Sequence, residues 1–201
     1  MTTSKALSGL TPSRIQGAAC NTTGTNEYPI ASAYSSNIFT GDIVKVVNGY
    51  VQVITSSQDF ARGVFLGCRY VANGEPKWSR YWPANTSASE IYAQVMDNVN
   101  ATYLIQADAS MSIGDINSQN FGVTLGAGST VTGISGFGIN AGTRTTGAAM
   151  FRPVAVWQVE GNDINVAAER AFPIVEVRIA QNADHFISVL SSVGAVTSAT
   201  I

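Results

Sequence analysis

Ile43-Val-Lys-Val-Val47, then Asn48-Gly49, then Tyr50-Val-Gln-Val-Ile54: two β-branched runs are joined by the dipeptide that best tolerates positive φ at both central positions of a tight turn. This is a two-residue β-hairpin, and the chain beyond it keeps the same pattern. Gly63-Val-Phe-Leu-Gly-Cys-Arg-Tyr-Val71 has strand composition. Asn73-Gly74 then turns the chain into Lys77-Trp-Ser-Arg-Tyr-Trp82, which Pro83 ends. Between 86 and 97, Ser87-x-x-Glu90 matches a helix-opening capping box, while Ile91, Ala93 and Val95 alternate with Tyr92, Gln94 and Met96 as in a strand. The strand reading is preferred, because Asp97-Asn-Val-Asn100 is turn chemistry and Thr102-Tyr-Leu-Ile-Gln-Ala107 is a second β run, so that a hairpin accounts for the whole segment.

Further along, Asp108 to Asn120 reads as loop with at most a short helical turn, and Val123 to Ile139 is glycine-rich in a way that bends strands or admits another backbone. Ala149-Met-Phe-Arg-Pro-Val-Ala-Val-Trp-Gln-Val159 is a long strand whose Pro153 calls for an edge or a bulge. Glu160-Gly-Asn-Asp163 turns the chain toward a shorter strand at Pro173 to Ile179. Roughly seven to nine strands at short spacing, with no sustained 3.6-residue period, predict an all-β fold: a jelly-roll-like sandwich or barrel.

The ends differ from the middle. Residues 1–41 are crowded with small polar residues and broken by Thr11-Pro12 and Tyr28-Pro29, yet Ile15, Tyr28, Ile30, Tyr34, Ile38 and Phe39 supply more apolar anchors than a disordered tail carries. Two readings stand, a disordered tail or an extended arm that orders against a neighbour, with Ile15, Tyr28, Tyr34 and Phe39 as contact candidates in the second. Residues 188–201 carry no charge at all, which suits a segment that adds as a strand to something. The predicted organisation is therefore an arm (1–41), a β domain (42–187) and an uncharged C-terminal extension (188–201).

Charged residues are 12% of the chain, about half of the roughly 25% usual in soluble domains. Of eleven basic residues only Lys5, Lys45 and Lys77 are lysines, and lysine is the residue most depleted from contact surfaces, where arginine is enriched. Either much of the surface faces other protein, or the chain is a free monomer with a Ser/Thr/Asn-rich exterior. A net charge of −2 and the absence of any basic run argue against nucleic acid as a partner. The N-terminus lacks a signal-peptide core and no stretch reaches the roughly 18 apolar residues of a membrane span, so the chain is expected to stay soluble where it is made.

Catalytic equipment is not found. His185 has no nucleophile near it in sequence, and Gly126-Ala-Gly128-Ser-Thr lacks the lysine and helix of a phosphate loop. Glu160, Asn162 and Asp163 fall short of a calcium loop in number and spacing. Cys20 and Cys68 form no Cys-x-x-Cys pair and read as small apolar fillers, with their pairing left open. No catalytic, cofactor or metal site is expected, nor an enzyme.

The block most suited to recognition is Arg69-Tyr70 with Lys77-Trp78-Ser79-Arg80-Tyr81-Trp82. Strand alternation predicts Trp78, Arg80 and Trp82 on one side and Lys77, Ser79 and Tyr81 on the other. Such residues stack nucleic-acid bases or sugars, anchor protein interfaces, or simply fill a core. The acidity of the chain disfavours nucleic acid, and its low charge favours protein.

Arg69-Tyr-Val-Ala-Asn-Gly-Glu-Pro-Lys-Trp-Ser-Arg-Tyr-Trp-Pro-Ala84, followed by Ile91-Tyr-Ala-Gln-Val-Met-Asp97 and Tyr103-Leu-Ile-Gln-Ala-Asp108, resembles the capsid decoration or cement proteins of tailed bacteriophages. Gly128-Ser-Thr-Val-Thr-Gly-Ile-Ser-Gly136 and Val175-Glu-Val-Arg-Ile179 fit the same pattern, so that the resemblance spans about residues 42 to 180. It implies a structural protein on the outer surface of a phage head, assembled in the host cytoplasm, with the major capsid protein and further copies of itself, trimers for example, as partners and no catalytic residues. On that reading, removal of residues 1–27 should weaken attachment and leave the β domain folded. The rivals are a receptor- or glycan-binding module with Trp78 and Trp82 as a stacking platform, and a β-fold hydrolase whose carboxylates meet only on folding.

Overall fold

The computed structural model describes residues 4–16, 24–166 and 171–183. In chain order the strands are β1 (Thr11–Ile15), β2 (Asn26–Pro29), β3 (Ile38–Phe39), β4 (Ile43–Val47), β5 (Tyr50–Val53), β6 (Gly63–Ala72), β7 (Glu75–Ser79), β8 (Tyr81–Trp82), β9 (Ser89–Met96), β10 (Ala101–Gln106), β11 (Asn120–Thr124), β12 (Gly138–Thr145), β13 (Phe151–Val156) and β14 (Ile174–Ile179). A single 3₁₀ turn, Ile113–Asp115, lies between β10 and β11. The fold is nearly all β, with sheets in a sandwich-like arrangement and no closed barrel.

One sheet has six antiparallel strands in the order β1-β10-β14-β13-β11-β12. The second runs β2-β9-β6-β4-β5 with β7 added to the free part of β6, and β3 pairs with β8 as a separate ribbon. Both Asn-Gly hairpins form as the sequence dictates: Asn48 and Gly49 have φ of 51° and 84°, Asn73 and Gly74 55° and 78°, the left-handed values that a two-residue turn between twisted strands requires. Residues 89–96 are strand, not helix, and Pro153 sits at a register slip in β13, where its missing N–H leaves no ladder bond unmade.

Alternation divides the second sheet between two cores. Ile43, Val64 and Met96 join Tyr103, Ile105, Phe121, Phe151, Val175 and Val177 of the first sheet in the main core. Their neighbours Val44, Phe65 and Val95 face the other way, into a second core with Ile38, Tyr70 and Trp82. The ribbon of β3 and β8 supplies Ile38 and Trp82 to that second core.

Fourteen strands among the described residues exceed the seven to nine expected, and the surplus comes largely from the first 41 residues. The stretch expected to stand off as an arm is extended, but its described parts lie on this chain's own sheets. β1 pairs with β10, β2 with β9 and β3 with β8. Leu10 is 1% exposed in the main core. Arg14 Nε and Nη2 donate to the two carboxylate oxygens of Glu176 at 2.8 and 2.7 Å, and Thr102 Oγ1 donates to the same carboxylate at 2.6 Å. Gln106 holds the chain further upstream: its Oε1 accepts from Ala6 N at 2.7 Å and its Nε2 donates to Ser4 O at 2.9 Å. Pro12 and Pro29 do not prevent pairing, because β1 and β2 are edge strands with one side unbonded. Cutting at residue 27 would remove β1, the first half of β2 and the core residue Leu10, which speaks against the expectation that the β domain stays whole without residues 1–27. Cys20, His185 and the extension 188–201 lie outside the described residues.

The glycine-rich stretch after β11 does admit another backbone. A Cβ on Gly126 would lie 2.0 Å from Gly136 O, and one on Gly136 2.2 Å from Ala127 O, so the two strands of that loop touch main chain to main chain.

Candidate interaction surface

The aromatic block does not stay on one strand. Ser79 Oγ donates to Tyr81 O at 2.6 Å and accepts from Tyr81 N at 3.2 Å, while Thr40 Oγ1 donates to Arg80 O. These bonds take the place of ladder bonds and end β7 at Ser79. Past that kink β8 crosses to β3, and the parity of side chains is lost. Trp82 is 0% exposed and meets Tyr70 edge-on, with ring centroids 5.3 Å apart and planes at 79°. Trp78 is 75% exposed on the edge strand β7. The expectation that Trp78, Arg80 and Trp82 share a face is thus corrected. Tyr81 is half-buried and stacks on the buried Phe39 ring at 5.5 Å.

What Trp78 shares a face with is Arg69, its direct partner across β6, and through Arg69 with Tyr92 on β9. The Arg69 guanidinium lies 4.4 Å from the centroid of the Tyr92 ring. Its Nε and Nη2 donate to the two carboxylate oxygens of Glu27 at 3.0 and 2.8 Å, and Gln94 Nε2 adds a third bond to Glu27 at 2.7 Å. The bonds from Arg69 and then from Gln94 hold the Glu27 carboxyl below the usual carboxylate range. Trp78, Arg69 and Tyr92 therefore form a row across three strands, with the middle member already locked. A cleft of about 310 Å³ opens beside it, where the register slip at Gly67 leaves a gap between Gln94 and Ser79. Tyr92, Glu27 and Gln94 were not singled out from the sequence. Tyr92 and Gln94 were visible there only as the residues alternating with Ile91 and Ala93.

Along the chain Trp78 stands between Lys77 and Arg80, with Glu75 on the same edge strand. Lys77 and Arg80 are exposed and neither makes an ion pair among the described residues. Gly133 abuts Arg80, where an added Cβ would lie 2.9 Å from Arg80 Cβ, and two residues earlier in that loop Val131 is 93% exposed.

The remaining candidates serve the interior. Ile15 packs half-buried against the main core, and Tyr34 against the second. Tyr28 is clamped: its hydroxyl donates to Asp97 Oδ2 at 2.5 Å and accepts from Arg62 Nε at 2.8 Å, with the guanidinium 5.4 Å from its ring. Burial would raise the Asp97 carboxyl, but bonds from Tyr28 and Asn26 and the charge of Arg62 outweigh it and hold the group low. Cys68 is buried, which pushes its thiol up to about 12 and suits a filler role. Asn162 is not set up as a ligand. Its Nδ2 donates to Trp157 O and Ile174 O at 2.7 and 2.8 Å, and its Oδ1 accepts from Ile174 N at 2.8 Å, closing the turn after β13. No group of three or more His, Cys, Asp or Glu able to hold a metal occurs among the described residues.

One titratable group stands out in the interior. Asp42 is 2% exposed, and burial pushes its carboxyl up to about 6 against the bonds it accepts from Phe39 N, at 2.7 Å, and from Ser135. Neither the family models nor the curated proteins nor the solved structures compared with this chain give a match.

Proposed function

We propose that this chain is a capsid decoration, or cement, protein of a tailed bacteriophage, a structural virion protein that binds across subunits of the major capsid protein on the outside of the head. One observation carries the reading: the row Trp78–Arg69–Tyr92 lies across a partly exposed sheet face of a chain in which only 12% of residues are charged. Trp, Tyr and Arg dominate the energetics of protein interfaces. Because Arg69 is held by Glu27 and the Tyr92 ring before any partner arrives, little side-chain freedom is lost on docking. The sequence resemblance over about residues 42 to 180 points the same way. The rival glycan-binding reading relied on two tryptophans in one platform, and Trp82 is enclosed.

The test is rebinding of the purified chain to heads stripped of accessory proteins, with occupancy read from gels. Arg69→Ala and Tyr92→Ala should each lower affinity about tenfold, the effect of about 1.4 kcal/mol at an interface anchor, while the loss of the largely solvent-screened Arg69–Glu27–Tyr92 contacts lowers the melting temperature by no more than about 4 °C. Full occupancy by both variants, or none by the unaltered chain, would reject the proposal.

A further inference from the structure

A pocket of about 560 Å³ opens where β3, the end of β5 and the glycine-rich loop after β11 meet, with Val53, Ile54, Leu125 and Phe137 among its apolar walls. Gly128 closes one side against Phe39, whose ring would lie 2.2 Å from an added Cβ, so that main chain forms the wall there. Of the residues lining the pocket Asp42 alone is charged, and at 2% exposure it sits at the deep end. Its carboxylate accepts from Phe39 N at 2.7 Å and from the Ser135 hydroxyl, whereas an ionised carboxylate has room for about four such bonds. Among the described residues no cation is paired with it. β3, β5 and residues 125–137 contain no charged residue, and Lys45, Arg62 and Arg69, on or beside β4 and β6, are paired with Asp59, Asp97 and Glu27. Arg80 abuts the loop at Gly133 but does not line the pocket. The titratable side chains on the neighbouring strands point elsewhere: Cys68 and Tyr70 into the second core, Tyr50 into solvent, and Tyr81 onto the Phe39 ring. Leaving a buried carboxylate ionised without a counter-ion is costly, and burial accordingly pushes this one up to about 6. The surroundings are tight, since a Cβ on Gly9 would lie 2.5 Å from Ser135 Cβ and 2.6 Å from Gly41 O, so the turn that carries Asp42 is in place before any ligand arrives.

We infer that this pocket binds a small organic cation, a primary ammonium on a short apolar chain, with the ammonium on Asp42 and the chain along Val53, Ile54 and Leu125. A concave, mostly apolar site with a few convergent polar groups is the usual form of a small-ligand pocket. An ammonium brings three donors, for which the Asp42 carboxylate and the hydroxyls of Ser35, Ser36 and Thr130 are acceptors lining the pocket. The single negative group selects a monocation over an anion. A bare divalent ion fits poorly, because one carboxylate falls far short of the roughly six or more oxygens that such an ion gathers. The pocket shares no residue with the row Trp78–Arg69–Tyr92, so the inference neither needs nor supports the assembly reading.

Isothermal titration calorimetry of the purified full chain with butylammonium chloride, against n-butanol and sodium chloride, tests the inference. At pH 7 butylammonium should saturate a single site, and neither n-butanol nor sodium chloride should give a saturable heat. At pH 5 the affinity should be about tenfold weaker, because a carboxyl that titrates at about 6 is then only about one-tenth ionised and that fraction alone binds. Asp42→Asn should abolish saturation. Leu125→Lys, at a position 41% exposed, places a competing ammonium at the pocket and should weaken binding about tenfold; its folding does not depend on Asp42, so it gives an answer even where Asp42→Asn fails to fold. No saturable heat from the unaltered chain at pH 7, equal binding of n-butanol, equal affinity at the two pH values, or undiminished affinity in folded Asp42→Asn or Leu125→Lys would each overturn the assignment.

Discussion

Replacing the two tryptophans one at a time separates the core from the surface. Trp82 is fully buried in the second core against Tyr70, and Trp→Ala at such a site costs about 3–5 kcal/mol in lost transfer energy and residual cavity. Part of that is offset, because Trp82 Nε1 is buried without a hydrogen-bond partner, a defect worth about 1–3 kcal/mol that disappears with the indole. The net expectation is about 2 kcal/mol, and at about 2–4 °C per kcal/mol for a chain of this length the melting temperature should drop by roughly 4–8 °C. Trp82→Phe retains a ring against Tyr70 and loses only the unpaired donor and some volume, so its cost should stay near 1 kcal/mol. Trp78→Ala removes an indole that is 75% exposed and should change stability by no more than about 0.5 kcal/mol. Thermal melts followed by circular dichroism give all three values. Equal destabilisation by Trp78→Ala and Trp82→Ala, or a Trp82→Ala protein melting within about 2 °C of the parent, would refute the division of the aromatic block.

Other consequences can be measured on the same material. The Asp42 carboxyl titrates at about 6 in the folded chain against 3.8 for the free group, so the folded state binds that proton more tightly. Its stabilising contribution, about 3 kcal/mol, is fully present below pH 4 and lost as pH rises through 6. Melting temperature should therefore rise between pH 7 and pH 5 in the parent and change less in Asp42→Asn; equal slopes would show that another group sets the trend. Glu27, Asp59 and Asp97, all held low, act in the opposite sense and lose their contribution only as pH falls through their depressed values. Arg14→Ala leaves the Glu176 carboxylate, 8% exposed, with only the Thr102 hydroxyl, and should cost about 1–2 kcal/mol in urea unfolding after allowance for the exposure of Arg14; no change would mean that β1 adds nothing to the domain. Cys68 should resist a thiol reagent in the native state and react on unfolding, and native labelling at that residue would contradict its burial.

The legible parts of the fold were those fixed by neighbours in sequence. Asn48-Gly49 and Asn73-Gly74 specify their hairpins without help from elsewhere, and the alternation in 89–96 outweighs the capping-box pattern because β6 lies ready to pair with it. Strands β1, β2 and β3 were illegible for the opposite reason. They are short, carry Pro12 and Pro29 and have no strong period, and they become strands only because β10, β9 and β8 offer bonded edges. In the site, Arg69, Trp78 and Arg80 were legible as parts of one aromatic and basic block, and of these Trp78 and Arg80 are exposed and Arg69 half-buried. The shared face of Trp78 and Trp82 failed because alternation presumes an unbroken strand, and the break at Arg80 is made partly by Thr40, forty residues away in the chain. Tyr92 and Glu27 join Arg69 through register across β6, β9 and β2, which no local pattern encodes.

Whether this polypeptide belongs to a virion is answered most directly by its abundance in intact phage particles purified through a density gradient. The expected result is a fixed ratio to the major capsid protein, the same in every fraction that contains filled heads. Particles that are complete and infectious without the chain, or that carry it only in traces removed by mild washing, would contradict its assignment to the shell.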